Sequence, residues 1–225
     1  MKRLIWLLAA FLSVSCQTGH EIQLRQPKQS IYCPCPYPQT KSRFIHAIEV
    51  YRSSEAQTAL IGVTLVDPVS RSVSCALMSA EGMAVLEVSS TPAGMEISRA
   101  LPPLDSPNFA RNMLDDIEMI FLAPRSTDVQ KGTLADGRQV CRYPDEDGWL
   151  DVVHAEDGGI EFKRYTKTGS LSRSVTLVHG ASNSYEAIEV SVPGIFRYRL
   201  KMSLIETQTS GDELFAPDSN KGGDK

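Results

Sequence analysis

The sequence predicts a mainly β protein of the α+β class, an antiparallel sheet of about eleven strands with one covering helix. Three observations predict it. Apolar and polar residues alternate through most of residues 43–205. Short clusters of Gly, Pro, Asp, Asn and Ser interrupt the alternation where turns are needed. One stretch, about 107–122, switches to a helical spacing.

The N-terminus comes before any of this. Met1-Lys2-Arg3 is a positive start, and Leu4 to Leu12 is an unbroken apolar run. A helix of that length rises about 14 Å, well short of the roughly 30 Å hydrocarbon core. Residues 1–15 therefore read as a signal peptide, not a membrane span.

Ser13 and Ser15 are small residues suited to signal peptidase cleavage before Cys16. The same site resembles a bacterial lipobox, with Ser15 and Val14 fitting and Ser13 standing where Leu is usual. The apolar run ends three residues before the cut, which is the compact form of lipoprotein signals. The chain also has five cysteines, Cys16, Cys33, Cys35, Cys75 and Cys141, and an odd count leaves one over in an oxidising compartment. Acylation of Cys16, a palmitate-type lipid anchor, leaves four that can pair as two disulfides. The alternative is a secreted protein with a free N-terminal Cys. Gln17 follows; in lipoproteins of the enterobacterial type Asp there marks the inner membrane. The resemblance thus implies an outer-membrane anchor facing the periplasm.

Residues 16–40 read as a lipid-anchored, proline-rich tether, since Pro34, Pro36 and Pro38 favour extended backbone. Cys33-Pro34-Cys35 lacks the second ligand pair of a zinc site and is not the CxxC of a thiol oxidoreductase. The plainer reading is that each Cys staples the tether to the body. A Cys33–Cys35 bond would be strained, so each is expected to pair with Cys75 or Cys141.

The strands follow. Phe44, His46, Ile48 and Val50 share one face; so do Ala59, Ile61, Val63 and Leu65; so do Val73, Cys75 and Leu77; so do Ala84, Leu86 and Val88. A shorter segment, "GMEISRA", follows, and "DPVSR", "SAEG" and "STPAG" supply the turns. Ser106 is an N-cap and Pro107 suits the first helical position. Phe109, Met113, Ile117 and Phe121 form an apolar stripe, with Asp115, Asp116 and Glu118 off it on a wet face, and the helix stops before Pro124. Six further strand segments run to "IFRYRLKMSLIE", where Phe196, Tyr198, Leu200, Met202 and Leu204 oppose Arg197, Arg199 and Lys201. Residues 41–206 are the folded domain, and 207–225 are polar and expected to be disordered.

The string "SAEGMAVLEV…MEISRALPPLDSPNFARNMLDDIEMIFLAP" resembles the middle of the LolA/LolB-like lipoprotein carriers. "EAIEVSVPGIFRYRLKMSLIE" is similar to their closing strands. The likeness spans roughly residues 43–205 and is nearest to uncharacterised lipoprotein relatives of that group. It implies a curved sheet, an incomplete barrel, closed by helix around an apolar cavity for acyl chains. The sequence departs from the pattern in lacking an early helix. It also lacks a loop with a large exposed apolar residue, for which Val69 is the nearest counterpart.

Excluded chemistry is plain. There is no nucleophile elbow, P-loop, dinucleotide fingerprint or HExxH. His20, His46, His154 and His179 are scattered, and His46 and His154 read as structural. The loops "PDEDGW" and "AEDGG" lack calcium-loop spacing. Without Lys2 and Arg3 the chain has 21 basic against 27 acidic residues, a formal charge of −6, which argues against nucleic acid as partner.

The expected function is therefore a periplasm-facing lipoprotein that binds an acyl or other lipid ligand between sheet and helix. Catalysis, metal and cofactor are not expected. Candidate cavity residues are Ile61, Val63, Leu65, Leu86, Phe109, Met113, Ile117, Leu200 and Met202. The alternative is a scaffold lipoprotein of an envelope or secretion complex, with those residues packed as a closed core.

Overall fold

The computed structural model describes residues 32–33, 35–52, 55–155, 158–179, 185–194 and 197–210. The expected signal segment, Cys16, Gln17 and the tail beyond 210 lie outside the described residues. Twelve strands and one helix follow in order: β1 (Ser42–Arg52), β2 (Glu55–Asp67), β3 (Ser72–Met78), β4 (Ala84–Thr91), β5 (Gly94–Ala100), α1 (Pro107–Phe121), β6 (Gln130–Thr133), β7 (Gln139–Asp145), β8 (Gly148–His154), β9 (Ile160–Thr166), β10 (Leu171–His179), β11 (Tyr185–Val192) and β12 (Tyr198–Thr209).

All twelve strands belong to one antiparallel sheet, ordered β5-β4-β3-β2-β1-β12-β11-β10-β9-β8-β7-β6. Every neighbour but one follows in sequence, so hairpins build two meanders. β1 and β12 join them at the centre, where Phe44 pairs with Thr207 and Ile48 with Met202. β5 and β6 are edges, so the sheet is open and not a closed barrel.

The sheet curls about the helix. Glu118 of α1 accepts a hydrogen bond from Ser90 Oγ of β4 at 2.8 Å. Asp116, two residues earlier, accepts from Arg173 Nε of β10 at 2.8 Å and from the Tyr198 hydroxyl of β12 at 3.1 Å. β4 and β10 are six strands apart, roughly 29 Å in a flat sheet. Two neighbouring carboxylates reach both only because the strands bend toward the helix.

Most of the predicted alternation holds. Phe44, His46 and Ile48, Val73, Cys75 and Leu77, and Leu86 and Val88 are all buried on the inner face. On β12, Met202 is buried while Arg199 and Lys201 are exposed. β2 is reversed. Thr64 and Val66 are buried inward, whereas Ile61 and Val63 are only partly covered and Leu65 is exposed on the outer face. The face of Ala59, Ile61, Val63 and Leu65 is wholly apolar, whereas the opposite face carries Thr58, Gly62 and Thr64, so the alternation alone points the wrong side inward. The deciding contact is at Gly62, which pairs with His46 on β1. A Cβ there would lie 2.6 Å from Ile48 Cδ1, so the glycine makes room for Ile48 in the inner layer.

The helix begins at Pro107 after an extended Ser106 (φ −81°, ψ 125°) and is capped by Leu122 N–H donating to Glu118 O. Its buried face is Ala110, Leu114, Ile117, Ile120 and Phe121, rotated from the predicted stripe, so Phe109 is exposed. Asp116 is buried and not on a wet face, because Arg173 and Tyr198 supply its hydrogen bonds. Two boundaries also move. β6 is a short polar edge strand that carries no alternation signal. β12 runs to Thr209, and Ser210 N–H donates to Lys41 O at 2.9 Å, so residues 207–210 belong to the sheet.

Candidate functional site

One covering of the concave face was not foreseen. Residues 32, 33 and 35–40 have no regular secondary structure and lie over the inner face of β7–β9 as a strap. Cys33 is bonded to Cys141 of β7. Tyr37 is buried, its ring centroid 5.7 Å from that of Phe162 on β9. Gln39 Nε2 donates to Tyr37 O at 2.8 Å and to Cys35 Sγ at 3.3 Å, and Ser42 Oγ donates to Thr40 O, which shapes the strap before β1 starts.

Between the strap and the end of α1 lies a cleft of about 390 Å³, open at one side. Pockets that hold small apolar ligands are commonly this large. Its walls are mainly apolar: Tyr37, Pro36 and Pro38 of the strap, Ile120 and Phe121 of α1, Phe44, Ile160, Leu177 and Tyr185. Thr207 and Thr209 lie along one edge, and Tyr32 stands mostly exposed beside it.

Aromatic packing fixes the deep wall. Phe44 and Phe121 stack at 4.7 Å, joining β1 to the helix. The His46 ring stacks on Tyr185 at 6.0 Å, and the Tyr185 hydroxyl lies 3.3 Å from His46 Nε2. Burial among these rings pushes His46 down to about 4, so it is neutral at physiological pH. Burial raises the hydroxyls of Tyr185 and Tyr37, so both stay protonated. Among the described residues the Tyr37 hydroxyl is buried without a hydrogen-bond partner.

A second, polar cleft lies on the other side of the helix end. Arg71, Arg125 and Arg164 share it with Asp115, Glu118 and Asp145. Arg71 Nη1 donates to Ala123 O at 3.0 Å and ties the β2–β3 turn to the helix end. With Glu146 and Asp147 also in its lining, the cleft sets five carboxylates against three arginines. Burial raises the Asp116 carboxyl while Arg173 pulls it back down, as befits a structural ion pair. Among the described residues, no group of three or more His, Cys, Asp or Glu is placed to hold a metal ion. No described helix is long and apolar enough to cross a membrane.

The sequence candidates distribute as follows. Leu86, Ile117 and Met202 are core residues, with Met113 and Leu200 packed against that core. Ile61, Val63, Leu65 and Phe109 are turned away from it or exposed. None of the nine lines the 390 Å³ cleft, which sits at the helix end and not beneath its middle. Of the four disulfide candidates, Cys33 and Cys141 are joined, and among the described residues Cys35 and Cys75 are free. A second bridge does not form because Cys75 is buried on β3 against the Thr64 hydroxyl, whereas Cys35 is exposed on the strap. The cleft residues missed were Tyr37, Phe44, Phe121 and Tyr185. The density of prolines around Tyr37 was their one local signal, since a stiff segment can hold a ring in place. Val69 is 88% exposed at the tip of the β2–β3 turn, where Asp67 Oδ1 accepts from the Val69 and Ser70 N–H groups.

No family model and no curated protein sequence matches the chain. Among solved structures it is similar to the LolA superfamily protein NE2245 from Nitrosomonas europaea. The two are 12% identical over 77% of this chain and 87% of that one, with a TM-score of 0.48. The architecture among the described residues is one open antiparallel sheet curled about one helix.

Proposed function

We propose that this chain binds an acyl-type apolar chain in the cleft between the strap and the end of α1. The observation that carries the reading is the cleft itself: about 390 Å³, walled by Phe44, Phe121, Tyr37, Ile160 and Leu177, and open at one side. Burying a few hundred square ångströms of acyl surface, at about 25 cal/mol per Å², gives useful affinity. We further propose that Cys16 carries the lipid anchor and that the domain works at the outer membrane, facing the periplasm.

The test is titration of a fluorescent long-chain fatty acid into the full chain. Thr207→Trp places a large ring at the cleft edge from an already exposed position. It should weaken binding about tenfold while leaving the fold intact by circular dichroism. Unchanged affinity in that variant would remove the cleft from consideration. For the anchor, Cys16→Ser should move the protein from the membrane to the soluble fraction, and continued membrane association would refute it.

A second reading is supported by the region under the helix. Leu86, Ile117 and Met202 pack there as core. A scaffold that offers an exterior surface to an envelope complex fits that packing, and absence of any bound or bindable lipid would favour it.

A further inference from the structure

We propose that the exposed Cys35 thiol exchanges with the Cys33–Cys141 disulfide, moving the bridge two residues along the strap and resetting the cleft that Tyr37 walls. This regulation rests on the acyl-binding reading above.

Three cysteines lie at this end of the molecule, two bonded and one free. Cys33 is bonded to Cys141 of β7, and Cys35 is free, exposed and itself part of the cleft wall. Cys35 lies two residues along the strap from the bonded Cys33, within about 7 Å of extended chain, and lines the cleft with Tyr37. Cys75 takes no part, because it is buried on β3 and burial pushes its thiol up to about 11.

The chemistry needs no outside oxidant. The Cys35 thiolate attacks Cys141 Sγ, a Cys35–Cys141 bond forms, and the electron pair of the old bond leaves on Cys33 Sγ. Cys33 takes up the proton that Cys35 gave up, so one disulfide and one thiol remain.

The consequence is mechanical. Cys33 lies nine residues before Ser42, where β1 fixes the chain, and Cys35 lies seven before it. Exchange removes about 7 Å of extended reach from the strap. Tyr37 lies between the two fixed points and cannot keep its place against Phe162. The cleft loses that wall, so the two bridge isomers bind an acyl chain with different affinity.

Non-reducing peptide maps and fatty-acid titrations on the full chain test this. Wild type held at mildly alkaline pH should yield both Cys33–Cys141 and Cys35–Cys141 peptides. Cys35→Ser should yield only the first, and oxidised Cys33→Ser only the second. The fluorescent fatty acid should bind these two variants with affinities differing by at least about fivefold. A wild-type map with Cys33–Cys141 alone overturns the exchange, and it decides the matter even where Cys33→Ser fails to fold. Equal affinities overturn the regulatory role. If no form binds the fatty acid while the maps show exchange, the acyl-binding reading fails and the regulation fails with it.

Discussion

Over β3–β5 the sheet is covered by fifteen residues of helix; over β7–β9 it is covered by residues 32, 33 and 35–40 and one disulfide. The helix satisfies its own backbone, so it can bury a continuous face of Ala110, Leu114, Ile117 and Ile120 against the strands. That half becomes a closed core. The strap has no internal hydrogen-bond ladder and inserts a single buried ring, Tyr37. Its position depends on a covalent tie, and beside it the 390 Å³ cleft stays open. A regular element seals an apolar surface, whereas an irregular one can cover it only in part.

The largest effect should separate the two coverings. Phe121→Ala removes a fully buried ring that stacks on Phe44, and should cost about 3–5 kcal/mol in chemical denaturation. Tyr37→Ala leaves the bridge in place and opens a wall that already borders the cleft. It should cost less than half as much while changing fatty-acid binding more. Equal losses of global stability would break the distinction between sealed core and partial cover.

This contrast explains what was legible in the sequence. The helix and the inner faces of β1, β3, β4 and β12 follow from local periodicity, because each has one clearly apolar side. β2 does not, since its more apolar side, Ile61, Val63 and Leu65, is the outer one and the choice lies in Gly62 meeting Ile48 on another strand. Asp116 looks solvated because its partners, Arg173 and Tyr198, lie 57 and 82 residues away. The cleft was hidden for the same reason. Its walls come from the strap, β1, the helix end and β9–β12, and only the fold brings them together.

The next effect concerns pH and the aromatic wall where the two coverings meet. His46 is pushed down to about 4 in the folded chain, against about 6.5 when unfolded. Between those values the unfolded chain binds more protons, so stability is complete above about pH 6.5 and declines as pH falls toward 4. The slope from this residue is at most about 1.4 kcal/mol per pH unit. Carboxylates add their own slope below about pH 5, so the informative window is pH 6.5 to 5. His46→Gln should flatten stability across that window, measured as the difference between variant and wild-type denaturation curves. An unchanged slope would mean that protonation at His46 is not resisted by the Phe44, Phe121 and Tyr185 rings around it.

The smallest effect tests how the sealed half acquires its register. Gly62→Ala sets a methyl against Ile48 Cδ1, the end of a flexible side chain, so the strain should be modest, about 1 kcal/mol. Ile48→Val removes that terminal carbon and should itself cost about 0.5–1.5 kcal/mol. If Gly62 and Ile48 share one inner-face space, the double variant should be more stable than the two single losses predict, because valine vacates what alanine fills. Simple additivity would place residue 62 away from Ile48. It would return Ile61, Val63 and Leu65 to the inner face, where the alternation alone put them.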